Sequence, residues 1–319
     1  MKEQTIEAIQ LLPTAAFTLP VFFSADMVAR SQSYSPSAEK PEQVVRDLGA
    51  KGLSIRIVTP TPVTKAELYL AHAREYVDGV LSCRKENGFG NTSSEVARSL
   101  PHTSGAMLSA ARHALSHGVA FAPCSGFHHA GSRRGAGFCT FNGLAVTALA
   151  LLASGLVKRV GILDCDMHYG DGTDDIIETT TSRDRIRHAT AGAHFHQPSQ
   201  VPAFFRWLDE SIASMHDCDL VLYQAGADPH VDDPLGGFLD DAELRERDAR
   251  VFDGLMRRGL PVAWNLAGGY QREPDGSIPR VLAIHAATAA ECIRSASVHL
   301  ASHRAAAGAS ADSPAPRNT

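Results

Sequence analysis

Residues 159–173 read Arg-Val-Gly-Ile-Leu-Asp-Cys-Asp-Met-His-Tyr-Gly-Asp-Gly-Thr. The run Arg159–Leu163 has the length and apolar character of a strand buried on both faces, and it stops abruptly at acidic and imidazole side chains. On an extended backbone, residues two apart point the same way. Asp164, Asp166 and His168 therefore share a face, and Cys165 and Met167 turn away from it. Two carboxylates and an imidazole cannot face an apolar interior without partners. A divalent metal is the natural partner: zinc takes oxygen and nitrogen ligands, and a catalytic zinc site keeps one position open.

Three other apolar runs, Val119–Ala122, Leu220–Tyr223 and Pro261–Asn265, end in the same manner. They are followed by Ser125-Gly126-Phe127-His128-His129-Ala130, by Gln224-Ala225-Gly226-Ala227-Asp228-Pro229-His230, and by Leu266-Ala267-Gly268-Gly269-Tyr270. Helical patterns separate the runs: Lys65–Leu81, His102–His117 with Gly118 as its stop, and Asn142–Ser154 ending at Gly155. Ser54–Val58 is a further β-prone run. Strands alternating with helices predict one α/β domain, a central parallel sheet covered by helices on both faces in three α/β/α layers. Ligands of such sheets bind outside the carboxyl ends of the strands, so the clusters should converge on one site, with Asp228 placed to add a third metal ligand. A histidine pair, an Asp-x-His or a Gly-Gly-Tyr alone is an ordinary surface or turn sequence. The shared position after strands is what gives them weight.

The domain is expected over residues 1–304. An Ala/Ser/Pro-rich disordered tail is expected over 305–319, and Ser31–Pro41 reads as a polar surface loop. With 44% hydrophobic and 20% charged residues, the 319-residue chain can bury a large core. A net charge of −5 with no basic block argues against nucleic-acid binding. No apolar run reaches membrane-spanning length. The six cysteines are scattered, as reduced thiols would be. The expectation is a soluble, cytoplasmic protein.

The motifs Gly126-Phe127-His128-His129-Ala130, Gly137-Phe138-Cys139-Thr140-Phe141-Asn142, Asp164-x-Asp166-x-His168-x-Gly170-Asp171-Gly172, Gln224-Ala225-Gly226-Ala227-Asp228 and Gly268-Gly269-Tyr270 together resemble the histone deacetylase superfamily. The closest likeness is to its bacterial deacetylase-like and acetylpolyamine amidohydrolase branches. The resemblance runs from about Ala71 to Ala286, with the motifs in family order. It implies an arginase/deacetylase fold and a zinc ion held by Asp166, His168 and Asp228. It further implies paired catalytic histidines, His128 backed by Asp164 and His129 backed by Asp171, and a transition-state tyrosine, Tyr270. Phe138 looks like a wall of the substrate tunnel, and Gly137 like the carbonyl that meets the substrate amide. A structural potassium ion is implied near Asp164. Tyr169 stands where many members have a histidine. The loop from Thr190 to Pro202 lacks the usual second tunnel wall, a place Phe195 is the candidate to fill.

These roles make up a metal-assisted amide hydrolase that removes acetyl or another short acyl group from an amine such as acetyl-lysine. His129 serves as the general base, and Tyr270 donates to the oxyanion. An acetylated lysine or polyamine is the expected partner, with neither nucleic acid nor membrane, and homo-oligomerisation is left open. The alternatives are a small-molecule amidohydrolase acting on acetylpolyamines, a non-catalytic acyl-lysine binder, and a binuclear arginase-like hydrolase. His128, His129 and Tyr270 would be superfluous in a binder. A binuclear centre would need bridging carboxylates, for which only Asp232 and Asp233 are near Asp228. No Ser or Cys nucleophile fits better, since Ser125 lacks the Gly-x-Ser-x-Gly elbow.

Overall fold

The computed structural model describes residues 17–311. The strands are β1 (Leu19–Phe22), β2 (Ile55–Val58), β3 (Val119–Ala122), β4 (Val160–Asp164), β5 (Ile186–Thr190), β6 (Leu220–Gln224) and β7 (Val262–Asn265). The α-helices are α1 (Lys40–Ala50), α2 (Lys65–Ala71), α3 (Arg74–Leu81), α4 (Ser94–His117), α5 (Gly143–Ala153), α6 (Asp171–Thr179), α7 (Val201–Ser214), α8 (Asp241–Arg257) and α9 (Pro279–Ala311). The strands pair in parallel in the order β2-β1-β3-β7-β6-β4-β5. The last strand in sequence therefore lies in the middle of the sheet, between β3 and β6.

Strand alternation makes the three layers. Phe121, Val221, Tyr223, Val262 and Trp264 face a core closed by α1, α7, α8 and α9. Ala120, Ala122, Ile162, Leu222 and Ala263 face the opposite core, closed by α2 to α6. Both faces being apolar explains why these strands read as short continuous hydrophobic runs. No helix among the described residues is long and apolar enough to cross a membrane.

The pattern over Lys65–Leu81 forms two helices, not one. The chain breaks at His72, whose ring turns inward: Nδ1 bonds Gly131 O at 2.9 Å and Nε2 accepts from the Asn142 N–H at 2.9 Å. The helix expected from His102 starts at Ser94, capped by Ser93, and continues through Pro101. Strands β1 and β5 carry no clear sequence signal, because β1 contains Pro20 and β5 contains Arg187 and His188, poor signals for buried strands. Nor is Ser31–Pro41 a surface loop. Ser31, Ser35, Ser37 and Lys40 are buried, because their polar atoms find protein partners. At the other end α9 runs to Ala311, the Ala-rich stretch after residue 304 being a good helix former. The remainder of the expected tail, 312–319, lies outside the described residues.

Candidate active site

Strands β3, β7, β6 and β4 are neighbours, so the loops leaving their carboxyl ends meet. They enclose a narrow pocket lined by Gly126, His128, Gly137, Asp166, Gly268 and Tyr270, with Ser37 from the buried N-terminal loop.

The Asp-x-Asp-x-His segment folds on itself. Asp164 Oδ1 accepts from Asp166 N–H at 3.1 Å, and Asp166 Oδ1 accepts from His168 N–H at 2.9 Å, two successive turns in which a carboxylate holds the amide two residues on. Cys165 and Met167 point into the hydrophobic core. His168 Nδ1 lies 3.2 Å from Asp166 Oδ1 and 3.1 Å from Asp228 Oδ2. The potential ligand atoms of Asp166, His168 and Asp228 all fall within 4.8 Å of one another. Gly268 N–H bonds the remaining oxygen of Asp166 at 2.7 Å, and a Cβ on Gly268 would overlap the Asp228 carboxylate.

Asp166 and Asp228 are almost wholly buried. Burial, reinforced by the charge of Asp166, pushes the Asp228 carboxyl up. Hydrogen bonds to Asp166 and Asp228 hold the His168 imidazole well above its ordinary range. The raised Asp228 and His168 both follow from negative charge crowded into a buried site. A dication would offset that charge directly. Two carboxylates and an imidazole, open on the pocket side, suit zinc.

The histidine pair stands beside this cluster. His128 Nδ1 bonds Asp164 Oδ2 at 2.8 Å, and His129 Nδ1 bonds Asp171 Oδ1 at 2.7 Å. Ionised carboxylates only accept, so each Nδ1 carries a proton and each Nε2 is left for the pocket. The environments differ. Burial works to lower His128, but the charges of Asp164 and Asp166 overcome it and raise it. For His129, burial and the neighbouring His128 charge win, and its basicity falls.

Tyr270 follows β7. Its N–H bonds Asp233 Oδ2 at 2.8 Å, and its ring sits 5.7 Å from that of Phe138. Burial, with the Asp228 and Asp166 charges, raises the phenol well above its usual range, so it remains a donor. Gly137 has φ +52°, and a Cβ there would lie 2.5 Å from His129 Cδ2, so this close turn requires glycine. Phe138 follows with φ 63°. Asp164, where potassium was expected, already accepts from Asp166 N–H, Gln224 and His128. Tyr169 is exposed and bonds Asp174, away from the cluster. Cys124, Cys139 and Cys165 are buried, which pushes their thiols up and leaves them unreactive.

A family model described as the histone deacetylase domain matches residues 35–189. An acetylpolyamine aminohydrolase structure from Burkholderia pseudomallei superposes with a TM-score of 0.68 at 18% identity, covering 86% of this chain and 98% of that one. The chain belongs to the histone deacetylase-like superfamily. An uncharacterised protein of Picosynechococcus is 29% identical over 254 residues, 73% of this chain and 84% of the relative. Acetylpolyamine amidohydrolase 1 of Pseudomonas aeruginosa is 28% identical over 182 residues, 47% of this chain but only 50% of the relative. The family is one of hydrolases.

Two features of this histone deacetylase-like site were not legible in the sequence. Lys40 is fully buried, and its Nζ bonds Ala267 O at 2.6 Å, holding the loop that carries Tyr270. Burial lowers this ammonium to about 8 despite the neighbouring carboxylates. Gln224 Nε2 donates to Asp164 Oδ1 at 3.0 Å. In each contact the partners are far apart in sequence, so no local pattern marks the contact itself. Phe195, the candidate second tunnel wall, is instead part of the core, packed against Phe204, Trp207 and Phe238. Its aromatic neighbours offer more apolar contact than the tunnel rim would.

Proposed function

We propose that this chain is a zinc-dependent amidohydrolase that removes acetyl or another short acyl group from an amine such as the lysine side chain. One observation carries the reading: Asp166 of the Asp166–His168–Asp228 cluster lines one pocket with carboxylate-backed His128 and buried Tyr270, and the second carboxylate-backed histidine, His129, packs against His128 and His168. Asp166, His168 and Asp228 would hold the metal, which when bound supplies Lewis acidity toward the amide carbonyl and toward water.

His129, neutral near pH 7 and oriented by Asp171, takes a proton from water at Nε2 and then delivers one to the departing amine. His128, kept cationic by Asp164, steadies negative charge developing beside it. Tyr270 donates its hydroxyl proton in a hydrogen bond to the oxyanion. Gly137 and Phe138 line the approach of the acyl-amine. The six free cysteines fit a cytoplasmic setting.

A second reading, hydrolysis of acetylated polyamines, draws support from the Pseudomonas relative that bears that name. The test is an assay of the purified protein on an acetyl-lysine peptide and on acetylated polyamines, after chelation and after zinc is restored. Zinc-restored turnover on either substrate supports hydrolysis, and the preferred substrate decides between the readings. Zinc uptake with no turnover on either would overturn the enzyme and favour a binder.

A further inference from the structure

Arg247 lies on α8 with its side chain fully buried, on the core side of the metal cluster. Its Nη1 donates to Gly226 O at 2.6 Å and to Cys165 O at 3.3 Å. Cys165 separates Asp164 from Asp166, and Gly226 stands two residues before Asp228. One nitrogen with two hydrogens thus reaches both loops that carry candidate metal ligands. The sheet does not tie these loops together beyond its end. Strands β4 and β6 pair as far as Asp164 and Gln224, and the last ladder contact is Cys165 N–H to Gln224 O at 3.0 Å. Past that point a side chain takes over from the backbone.

The guanidinium is itself fixed. Nε donates to Asp248 Oδ1 at 2.9 Å. Asp248 is in turn held by the Tyr223 hydroxyl from β6 at 2.5 Å and by the Thr288 hydroxyl from α9 at 2.6 Å. A buried arginine needs a counter-charge, and Asp248 provides one. Counter-charge alone does not explain why Nη1 meets two loop carbonyls at the mouth of the sheet.

We propose that Arg247 is a positioning residue that sets the span between Asp166 and Asp228, and so the affinity and geometry of the metal site. This rests on the metal-site reading above. The proposal can be separated from a purely electrostatic role by sign. Removing a nearby cation would, through charge alone, tighten the hold on a dication. Losing the strut loosens it, as removal of partners that orient metal ligands typically does by about 10–100-fold.

The experiment measures zinc affinity by chelator competition in the full-length protein, the Arg247→Met variant and the Arg247→Lys variant. Cobalt(II) visible spectra report coordination geometry. Leu108→Ala, a cavity variant in the opposite core layer, serves as a control for general destabilisation. The expected result is affinity weakened roughly 10-fold or more in both Arg247 variants, with an altered cobalt spectrum and no such change in the control. If Arg247→Met does not fold, Arg247→Lys, which keeps a positive charge beside Asp248, carries the test. Unchanged or tighter zinc binding in a folded Arg247 variant overturns the proposal. Failure of the unsubstituted protein to bind zinc would instead overturn the metal reading beneath it.

Discussion

His128 and His129 are adjacent in sequence and 4.1 Å apart between ring centroids, yet they lean on carboxylates in opposite surroundings. Asp164 is fully buried, whereas the Asp171 side chain is 39% exposed. A buried counter-charge raises one imidazole, and the cation so created, together with burial, lowers the other. One protein environment therefore holds a cationic and a neutral imidazole side by side.

This gives a pH prediction. A base whose folded value lies below 6.5 is neutral at pH 7 and gains its proton only as pH falls further. Turnover should thus hold from pH 7 down through 6.5 and decline below it. His129→Ala should lower kcat by about 100- to 10,000-fold. A pH–rate profile with its acid limb centred above 7 would count against His129 as the base.

Tyr270 should act on the transition state more than on binding. Tyr270→Phe is expected to reduce kcat by about 100-fold, roughly 3 kcal/mol, with little change in KM or in zinc affinity. Steady-state kinetics beside a zinc titration would check this. A variant as active as the parent would remove the tyrosine from the mechanism.

Gly268 sits where any side chain would press on the Asp228 carboxylate, with the Asp166 Oδ2 only 2.8 Å from the position of a Cβ. Gly268→Ala should weaken zinc binding by about 10-fold or more. Circular dichroism should show the secondary structure retained. Undiminished zinc affinity would mean that the loop can move aside at no cost.

His72 supplies a stability prediction remote from the candidate metal cluster. Burial lowers its folded value to about 4, against 6.5 when free. Between these values the unfolded chain binds the proton and the folded one does not, so stability falls as pH falls from 6.5 to 4. The loss attributable to this residue is about 3 kcal/mol. Urea unfolding at pH 7 and pH 4.5 should display it, and His72→Gln should flatten the dependence. An equally steep fall in the variant would assign the acid sensitivity elsewhere.

The central strands and the gathering of Asp166, His168 and Asp228 could be read from residues because their signals are local. Asp164, Asp166 and His168 alternate along a few residues after an apolar run, and Asp228 follows a run of the same kind. Where the structure departs from the pattern, the deciding contacts are distant. Lys40 bonds a carbonyl 227 residues away, and Arg247 bonds one 82 residues away. Their burial is set by partners that no window of sequence contains. The break at His72 has the same origin, since Gly131 and Asn142 draw its ring inward. Strand β1, with its proline, forms because β2 pairs along its whole length.

The placement of β7 between β3 and β6 bears on how the chain is made. As it emerges from the ribosome, it can assemble β2-β1-β3 and β6-β4-β5, but each half ends in an unpaired strand that is apolar on both faces. Only after Asn265 has been synthesised can the halves be joined. Until then the nascent protein exposes two sticky edges to chaperones or to other chains. The candidate metal cluster is completed later still, since Gly268, which secures Asp166, follows β7.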